Sequence, residues 1–189
     1  AGEVKEVLLN GEAHAFDDDE DRVWVGGLPV GETITLEVRA LASYSRSGEG
    51  LHRYTDPEDG EVYLYTQFEP NDAHRAWPCV DQPDVKPEWT FHVIAPAGWV
   101  VSSNGVETAI EAVDDSGALR HDFTATRPLS SYITAIVAGP WAVIEGGTWS
   151  GGASDVGHAD LPLRLLFRRT LERYLDSDDV FEVTRAGLD

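Results

Sequence analysis

The sequence has no methionine, one cysteine and only two lysines among its 189 residues. The single cysteine, Cys79, excludes an intrachain disulfide and a zinc site built from several cysteine ligands. No run approaches the roughly 20 apolar residues that a membrane-spanning helix needs, and residues 1–5 lack the basic and apolar regions of an export signal. We therefore expect a soluble, cytoplasmic protein with no membrane partner.

Positive charge is also scarce. The chain has 14 Lys and Arg against 34 Asp and Glu, which gives a formal net charge of -20 at pH 7. Nucleic-acid affinity depends largely on Lys and Arg side chains that neutralise phosphates. The charge balance therefore excludes a nucleic-acid partner and indicates an acidic, well-solvated surface.

Short alternating segments make up most of the chain. Residues 33–40 alternate polar and apolar side chains without a break, which is the pattern of a strand with one solvated face. Turn pairs such as Asn10-Gly11 and Asn104-Gly105 separate the segments. Many short strands between such turns predict an all-β fold, either a saddle-like antiparallel sheet or a sandwich. The predicted strands cover residues 4–9, 33–40, 62–68, 88–95, 106–113, 119–125, 131–137, 141–144 and 163–167.

Helical signals are confined to the C-terminal end. Residues 170–175 favour a short helical turn, and Ser177 followed by two aspartates resembles a helix N-cap with acidic residues in the first turn. We expect a β-rich amino-terminal domain over residues 1–175, and over 176–189 the start of a linker helix into a catalytic domain beyond this chain. Residues 146–157 are rich in Gly and Ser and predict a mobile loop.

The most specific pattern lies between Gly48 and Lys86. It contains Thr66-Gln67-Phe68-Glu69-Pro70 and continues through Arg75-Ala76-Trp77-Pro78-Cys79-Val80-Asp81. Over residues 46–105 the sequence resembles the aminopeptidase N family of zinc metallopeptidases, in the gluzincin clan. The resemblance implies a saddle-shaped β-sheet that packs against a thermolysin-like catalytic domain. It also implies that Gln67 and Glu69, which match the family's Gln-x-Glu, reach the active site.

The chemistry of peptide recognition fits this implied role of Glu69. An aminopeptidase must bind a free α-ammonium group, and a carboxylate binds that cation through charge-assisted hydrogen bonds while fixing its distance from the scissile bond. Pro70 favours an extended backbone at Glu69, which would hold the carboxylate at a strand end. Gln67, two residues earlier and on the same strand face, would line the pocket for the first substrate side chain. The alternatives are a surface carboxylate at Glu69 and a satisfied polar residue at Gln67.

Other residues in the matched segment have simpler structural interpretations. Cys79 is expected to be a small buried apolar residue. We expect an Arg–carboxylate pair to close the loop that contains Arg75, Asp81 and Lys86. The large aromatic residues are expected to pack in the core or at a domain interface instead of forming a ligand platform. These residues are Trp77, Trp89, Phe91 and Trp99.

The metal machinery of a zinc peptidase is missing from this sequence. The six histidines include no His-Glu-x-x-His, and without methionine the family's Gly-x-Met-Glu-Asn segment cannot occur. The resemblance therefore places zinc in the parent enzyme, with none bound by this fragment, which should be inactive alone. Its implied partners are peptide substrates, bound through the free α-amine, and the catalytic domain of the full-length chain.

Two further expectations concern the limits of the chain. The resemblance implies additional strands before Val4, and an unpaired sheet edge would let the fragment associate with itself edge to edge. The alternative function is a stand-alone β-sandwich binding module for carbohydrate or a protein partner. A reading frame that continues past Asp189 into His-Glu-x-x-His would favour the peptidase, whereas a stop codon there would favour the binding module.

Overall fold

A computed structural model describes residues 2–19, 22–151 and 160–189. Over these residues the fold is all-β with one α-helix near the C-terminal end, which confirms the predicted fold class. No helix in this part of the chain is long and apolar enough to span a membrane. The elements are β1 (Glu3–Leu9), β2 (Glu12–Ala13), β3 (Asp17–Asp19), β4 (Arg22–Trp24), β5 (Leu36–Leu41), β6 (Gly50–Thr55), β7 (Val62–Gln67), β8 (His92–Pro96), β9 (Val100–Ser103), β10 (Glu107–Ala112), β11 (Ala118–Phe123), β12 (Ile136–Gly139), β13 (Ala142–Trp149), β14 (Leu161–Phe167) and α1 (Ser177–Leu188).

The chain divides into two compact units. The first comprises Ala1–Tyr54 and Leu64–Ala138, and the second comprises Thr55–Tyr63 and Gly139–Asp189. Two three-stranded sheets have the orders β2-β1-β5 and β10-β11-β8, and β3 pairs with β4 in a short ribbon. A four-stranded sheet has the order β6-β7-β12-β9. The division into a domain over residues 1–175 and a linker helix stays a prediction.

Strand β7 is internal in the four-stranded sheet, where it pairs antiparallel with β12. Tyr65 lies opposite Val137 in this register. The backbone N–H of Ile136 also donates to Thr66 Oγ1 at 3.0 Å, although the two residues are 70 positions apart. An internal strand with neighbours on both sides gives the residues at its end a well-defined position.

Helix α1 belongs to the second unit and packs on β13, the partner strand of β14. Its N-cap is Asp176, one residue before the predicted Ser177, and the Asp176 carboxylate accepts a hydrogen bond from Asp179 N at 3.2 Å. Phe181 is buried against Gly146, where an added Cβ would lie 2.2 Å from the ring. A glycine at this position therefore permits the close approach of helix and strand.

A buried carboxylate holds another part of the second unit together. Asp56 is 2% exposed and accepts hydrogen bonds from Thr170 Oγ1 at 2.6 Å, Arg168 Nη1 at 2.7 Å and Glu58 N at 2.9 Å. These bonds lower the pKa of Asp56, with the Thr170 hydroxyl as the largest cause and the Glu58 amide next. The 3₁₀ helix Arg169–Tyr174, which matches the predicted short helical turn, is thereby joined to the turn after β6.

Two predicted strands differ from the structure. Residues 88–91 form no regular ladder, and β8 begins only at His92. The carbonyls of Trp89 and Phe91 accept backbone bonds from Thr126 and Phe123, whereas Trp89 N donates to the Thr126 hydroxyl. Residues 131–133 form a 3₁₀ turn, closed by Thr134 N donating to the carbonyl of Ser131 at 3.1 Å, and β12 begins at Ile136. At residues 131–133, bonds within the turn replace the cross-strand bonds that a strand requires. At residues 88–91, a side-chain hydroxyl 37 positions away takes the place of one backbone acceptor.

The predicted loop over residues 146–157 is also partly wrong. Residues 146–149 belong to β13, whose register against β14 shifts between Glu145 and Thr148. Gly147 has a φ of 73° within this irregularity, so the two glycines form a bulge instead of ending the strand. Residues 152–157 of the predicted loop lie outside the described residues.

Candidate functional site

The exposed side chains of β7 and of the turn after it define the candidate site. Leu64 and Phe68 are buried, whereas Tyr65, Gln67 and Glu69 are exposed. This alternation is expected where successive side chains point to opposite faces of a sheet. We call Tyr65, Gln67 and Glu69 together the exposed β7 face. Of the two residues singled out in the sequence, Gln67 is the last residue of β7 and Glu69 lies in the turn after it.

Glu69 lies in a turn immediately after β7. Asp72 N donates to the carbonyl of Phe68 at 2.9 Å and closes the turn, in which the Glu69–Pro70 peptide bond is cis. The carboxylate is therefore carried on a short closed turn whose first residue, Phe68, is 1% exposed. Such an arrangement fixes the backbone of Glu69 while leaving its side chain in solvent.

The carboxylate of Glu69 is available for an external cation. Within residues 2–19, 22–151 and 160–189, the side chains of Gln67 and Glu69 make no hydrogen bond or ion pair. The nearest arginine in sequence, Arg75, is held by Glu49 at 2.9 Å and by Asp72 at 3.3 Å. Glu69 can therefore supply a negatively charged hydrogen-bond acceptor. The Gln67 amide can both donate and accept hydrogen bonds.

The predicted Arg–carboxylate closure of the loop with Arg75, Asp81 and Lys86 is wrong. Arg75 pairs with Asp72, three residues earlier, and with Glu49, and not with Asp81. Asp81 instead accepts hydrogen bonds from the His74 ring at 2.8 Å and from His74 N at 3.1 Å. A histidine, and not an arginine, therefore closes the loop at Asp81.

Asp81 also joins this loop to a distant part of the first unit. Its side chain is 9% exposed, and its other oxygen accepts a hydrogen bond from the Ser131 hydroxyl at 2.6 Å, across 50 positions of sequence. Burial raises the pKa of Asp81, but the hydrogen bonds from Ser131 and His74 together lower it by more. The pKa of Asp81 therefore lies below its ordinary value. Asp81 is thus held as a charged, fully used acceptor and is unavailable to a ligand.

Aromatic rings support the turn from inside. Phe68 meets Trp77 edge to face at 4.9 Å, Trp77 meets Phe91 at 5.4 Å, and Phe91 stacks on Trp89 at 6.1 Å. Such ring pairs add about 0.5–1.5 kcal/mol each beyond the area they bury. The aromatic residues named in the sequence analysis therefore pack together beneath the exposed β7 face, apart from Trp99, which is half-buried and has no ring contact among the described residues.

The exposed β7 face includes one residue that the sequence analysis did not single out. Tyr65 is 37% exposed, and its ring contacts the His52 ring on β6 with centroids 4.9 Å apart. The signal that could have identified it is position, because Tyr65 lies two residues before Gln67 in the same alternating pattern.

The described residues do not form a metal site. No group of three or more His, Cys, Asp or Glu in these ranges is arranged to hold a metal ion. Cys79 is half-buried, and its burial, with the charge of Asp81, raises the pKa of its thiol to about 12, which disfavours the thiolate that zinc requires. The side chains of the described residues therefore do not fit a resident zinc.

Comparison with known proteins identifies consistent similarities. The family model for the Peptidase M1 N-terminal domain matches residues 14–133. Aminopeptidase N of Streptomyces lividans is 40% identical over 190 residues, which covers 98% of this chain and 20% of that protein. Aminopeptidase N of Haemonchus contortus is 33% identical over 123 residues, 64% of this chain and 13% of that protein. Glutamyl aminopeptidase of Mus musculus is 31% identical over 120 residues, 62% of this chain and 12% of that protein. The chain thus spans a fifth or less of the length of these relatives.

Proposed function

The chain belongs to the peptidase M1 family, whose amino-terminal domain it contains, and we propose that it recognises the free amino terminus of peptides for a zinc aminopeptidase. The observation that carries this proposal is the exposed carboxylate of Glu69, which has no internal counter-ion within the described ranges. A peptide's α-ammonium group is the cation that such a carboxylate would bind in an exopeptidase.

The role proposed for Glu69 is positional as well as electrostatic. The turn closed by the Asp72 N to Phe68 O bond holds the Glu69 backbone, so a bound α-ammonium group would lie at a fixed place. Fixing the amino terminus also fixes the first peptide bond relative to the groups that cleave it. Such orientation of the reacting groups lowers the activation barrier. Gln67, the last residue of β7, would contact the first side chain of the peptide.

Hydrolysis is assigned to a catalytic domain outside this chain. Aminopeptidases of the M1 family are zinc enzymes, and zinc supplies a nucleophilic water when bound. The described residues offer no ligand set for that metal. We therefore assign to this chain the binding and orientation of the substrate, with α1 leading into the domain that holds the zinc.

The activity of isolated and joined domains tests this division. The chain alone is expected to leave amino-acid p-nitroanilides intact with or without added Zn²⁺. The longer polypeptide that contains it should release nitroaniline, lose that activity on chelation and regain it with Zn²⁺. Hydrolysis by the chain alone, or full activity of the longer polypeptide after complete zinc removal, would contradict the proposal.

A second proposal concerns the isolated chain as its own partner. Strand β5 is an edge of its sheet, paired only with β1 among the described elements, and Leu36 and Leu41 at its two ends are 41% and 60% exposed. We propose that two copies pair along β5, because an unpaired apolar edge is a template for another strand. The net charge of -20 opposes this pairing, and salt screens the repulsion.

Sedimentation velocity at two ionic strengths tests the pairing. The dimer fraction is expected to rise between low salt and about 0.5 M salt, where the Debye length falls below roughly 5 Å. Leu41→Asp should keep the chain monomeric under both conditions, while Ile110→Asp, on a different sheet, should not change the result. A monomer at high concentration and high salt would count against the pairing.

A further inference from the structure

The exposed β7 face extends beyond the two residues assigned above. Tyr65 precedes Gln67 by two positions and Glu69 by four, and all three side chains are exposed. Because a strand rises about 3.3 Å per residue, neighbouring side chains on one face are roughly 7 Å apart. Along β7 the order on this face is therefore Tyr65, Gln67 and then Glu69 beyond the strand end.

The Tyr65 ring is held in place from the side of β6. His52 lies against it with ring centroids 4.9 Å apart and an interplanar angle of 45°. The His52 ring is in turn oriented by Gly48, whose backbone N–H donates to Nδ1 at 3.0 Å. Because Nδ1 accepts that bond, the ring proton of neutral His52 is on Nε2. The tyrosine therefore presents a supported ring to solvent.

We propose that Tyr65 determines specificity by contacting large aromatic side chains at the first position of the peptide. This inference rests on the function proposed for Glu69 and Gln67. If the α-ammonium group lies at Glu69 and the first side chain passes Gln67, a side chain long enough to continue in the same direction meets Tyr65. The methyl group of an amino-terminal alanine is too short to reach it.

The chemistry of the tyrosine ring favours an aromatic ligand. Aromatic pairs gain energy from offset or edge-to-face contacts beyond the apolar area they bury. A tyrosine also loses little conformational freedom on binding, since it has only two side-chain torsions, and His52 already restricts them here. Tyr65 therefore binds a phenylalanine or tyrosine at the first position more tightly than a small side chain.

The test compares two substrates in the zinc-loaded polypeptide that joins this domain to its catalytic domain. The measured quantity is the ratio of kcat/KM for phenylalanine p-nitroanilide to that for alanine p-nitroanilide. Tyr65→Ala is expected to lower this ratio about three- to tenfold. Tyr65→Phe retains the ring and should restore the ratio. Tyr174→Ala, which removes a tyrosine that is 72% exposed in the second unit, serves as the matched surface control.

Each outcome bears on one proposal. A fall in the ratio with Tyr65→Ala and its recovery with Tyr65→Phe supports the role of Tyr65. General misfolding would instead lower kcat/KM for both substrates equally and leave the ratio unchanged. An unchanged ratio with Tyr65→Ala overturns it, and so does an equal fall with Tyr65→Phe. Glu69→Ala, assayed in parallel, should lower kcat/KM for both substrates. If it lowers neither, the function proposed for Glu69 fails, whatever the ratio shows for Tyr65.

Discussion

Replacement of Glu69 by alanine is expected to lower kcat/KM for amino-acid anilides by on the order of 2–4 kcal/mol, roughly 30- to 1000-fold, in the longer polypeptide for which we propose aminopeptidase activity. The reason is that the α-ammonium group of a bound substrate would lose its counter-ion, in a site that the proposed catalytic domain would cover. Steady-state kinetics with leucine and alanine p-nitroanilides measures the effect. Glu69→Gln, which keeps hydrogen-bonding capacity but removes the charge, should have an intermediate effect.

The matched control for Glu69 is another exposed glutamate of the first unit. Glu111 lies on β10, in a different sheet, and Glu111→Ala should leave kcat/KM within about twofold of the parent. Unchanged kcat/KM in Glu69→Ala would end the assignment of this carboxylate to substrate binding. A loss of equal size in Glu111→Ala would show that a general change in surface charge, and not contact with the substrate, produced the effect.

Replacement of Phe68 by alanine is expected to lower the free energy of unfolding by about 3–5 kcal/mol. The ring is 1% exposed and meets Trp77 at 4.9 Å, so its removal leaves a cavity between β7 and the loop that follows. Urea unfolding of the isolated chain, followed by tryptophan fluorescence, measures the change, because Trp77 lies directly against the substituted residue.

Two comparisons make the stability result specific. Phe68→Leu fills most of the same volume and should cost less than about half as much as the alanine variant. Ile110→Ala, on an exposed position of β10 that is 52% accessible, should cost less than about 1 kcal/mol. A loss of under about 1 kcal/mol in Phe68→Ala would mean that the ring is not the internal support of the turn.

The sequence was sufficient to predict the strand that carries the site. The predicted strand over residues 62–68 matches β7 at Val62–Gln67, and the same pattern separates the buried Phe68 from the exposed Gln67. This prediction succeeds because strand periodicity is a local property, determined by which face is solvated. The assignment of Glu69 and Gln67 to substrate binding depends on family resemblance and on the exposure of the two side chains, and it stays a prediction.

The contacts that hold the loop could not be predicted from local patterns. His74 and Ser131 share Asp81, and nothing in the sequence around either residue indicates a partner seven or 50 positions away. The error at residues 131–133 has a different origin, since the apolar residues there fit a strand pattern while Ser131 and Thr134 bond within their own turn. Strand β6 was missed because its residues are mostly half-buried and do not alternate.

The pairing of β7 with β12 has a consequence for biosynthesis. The bond between Thr66 and Ile136 spans 70 positions, and that between Asp81 and Ser131 spans 50, so neither exists until the later segment has left the ribosome. During translation, β7 therefore cannot pair with its second neighbour, β12, until most of the first unit has been synthesised. Long-range pairing of this kind slows folding, and the nascent chain exposes an unpaired strand in the interval.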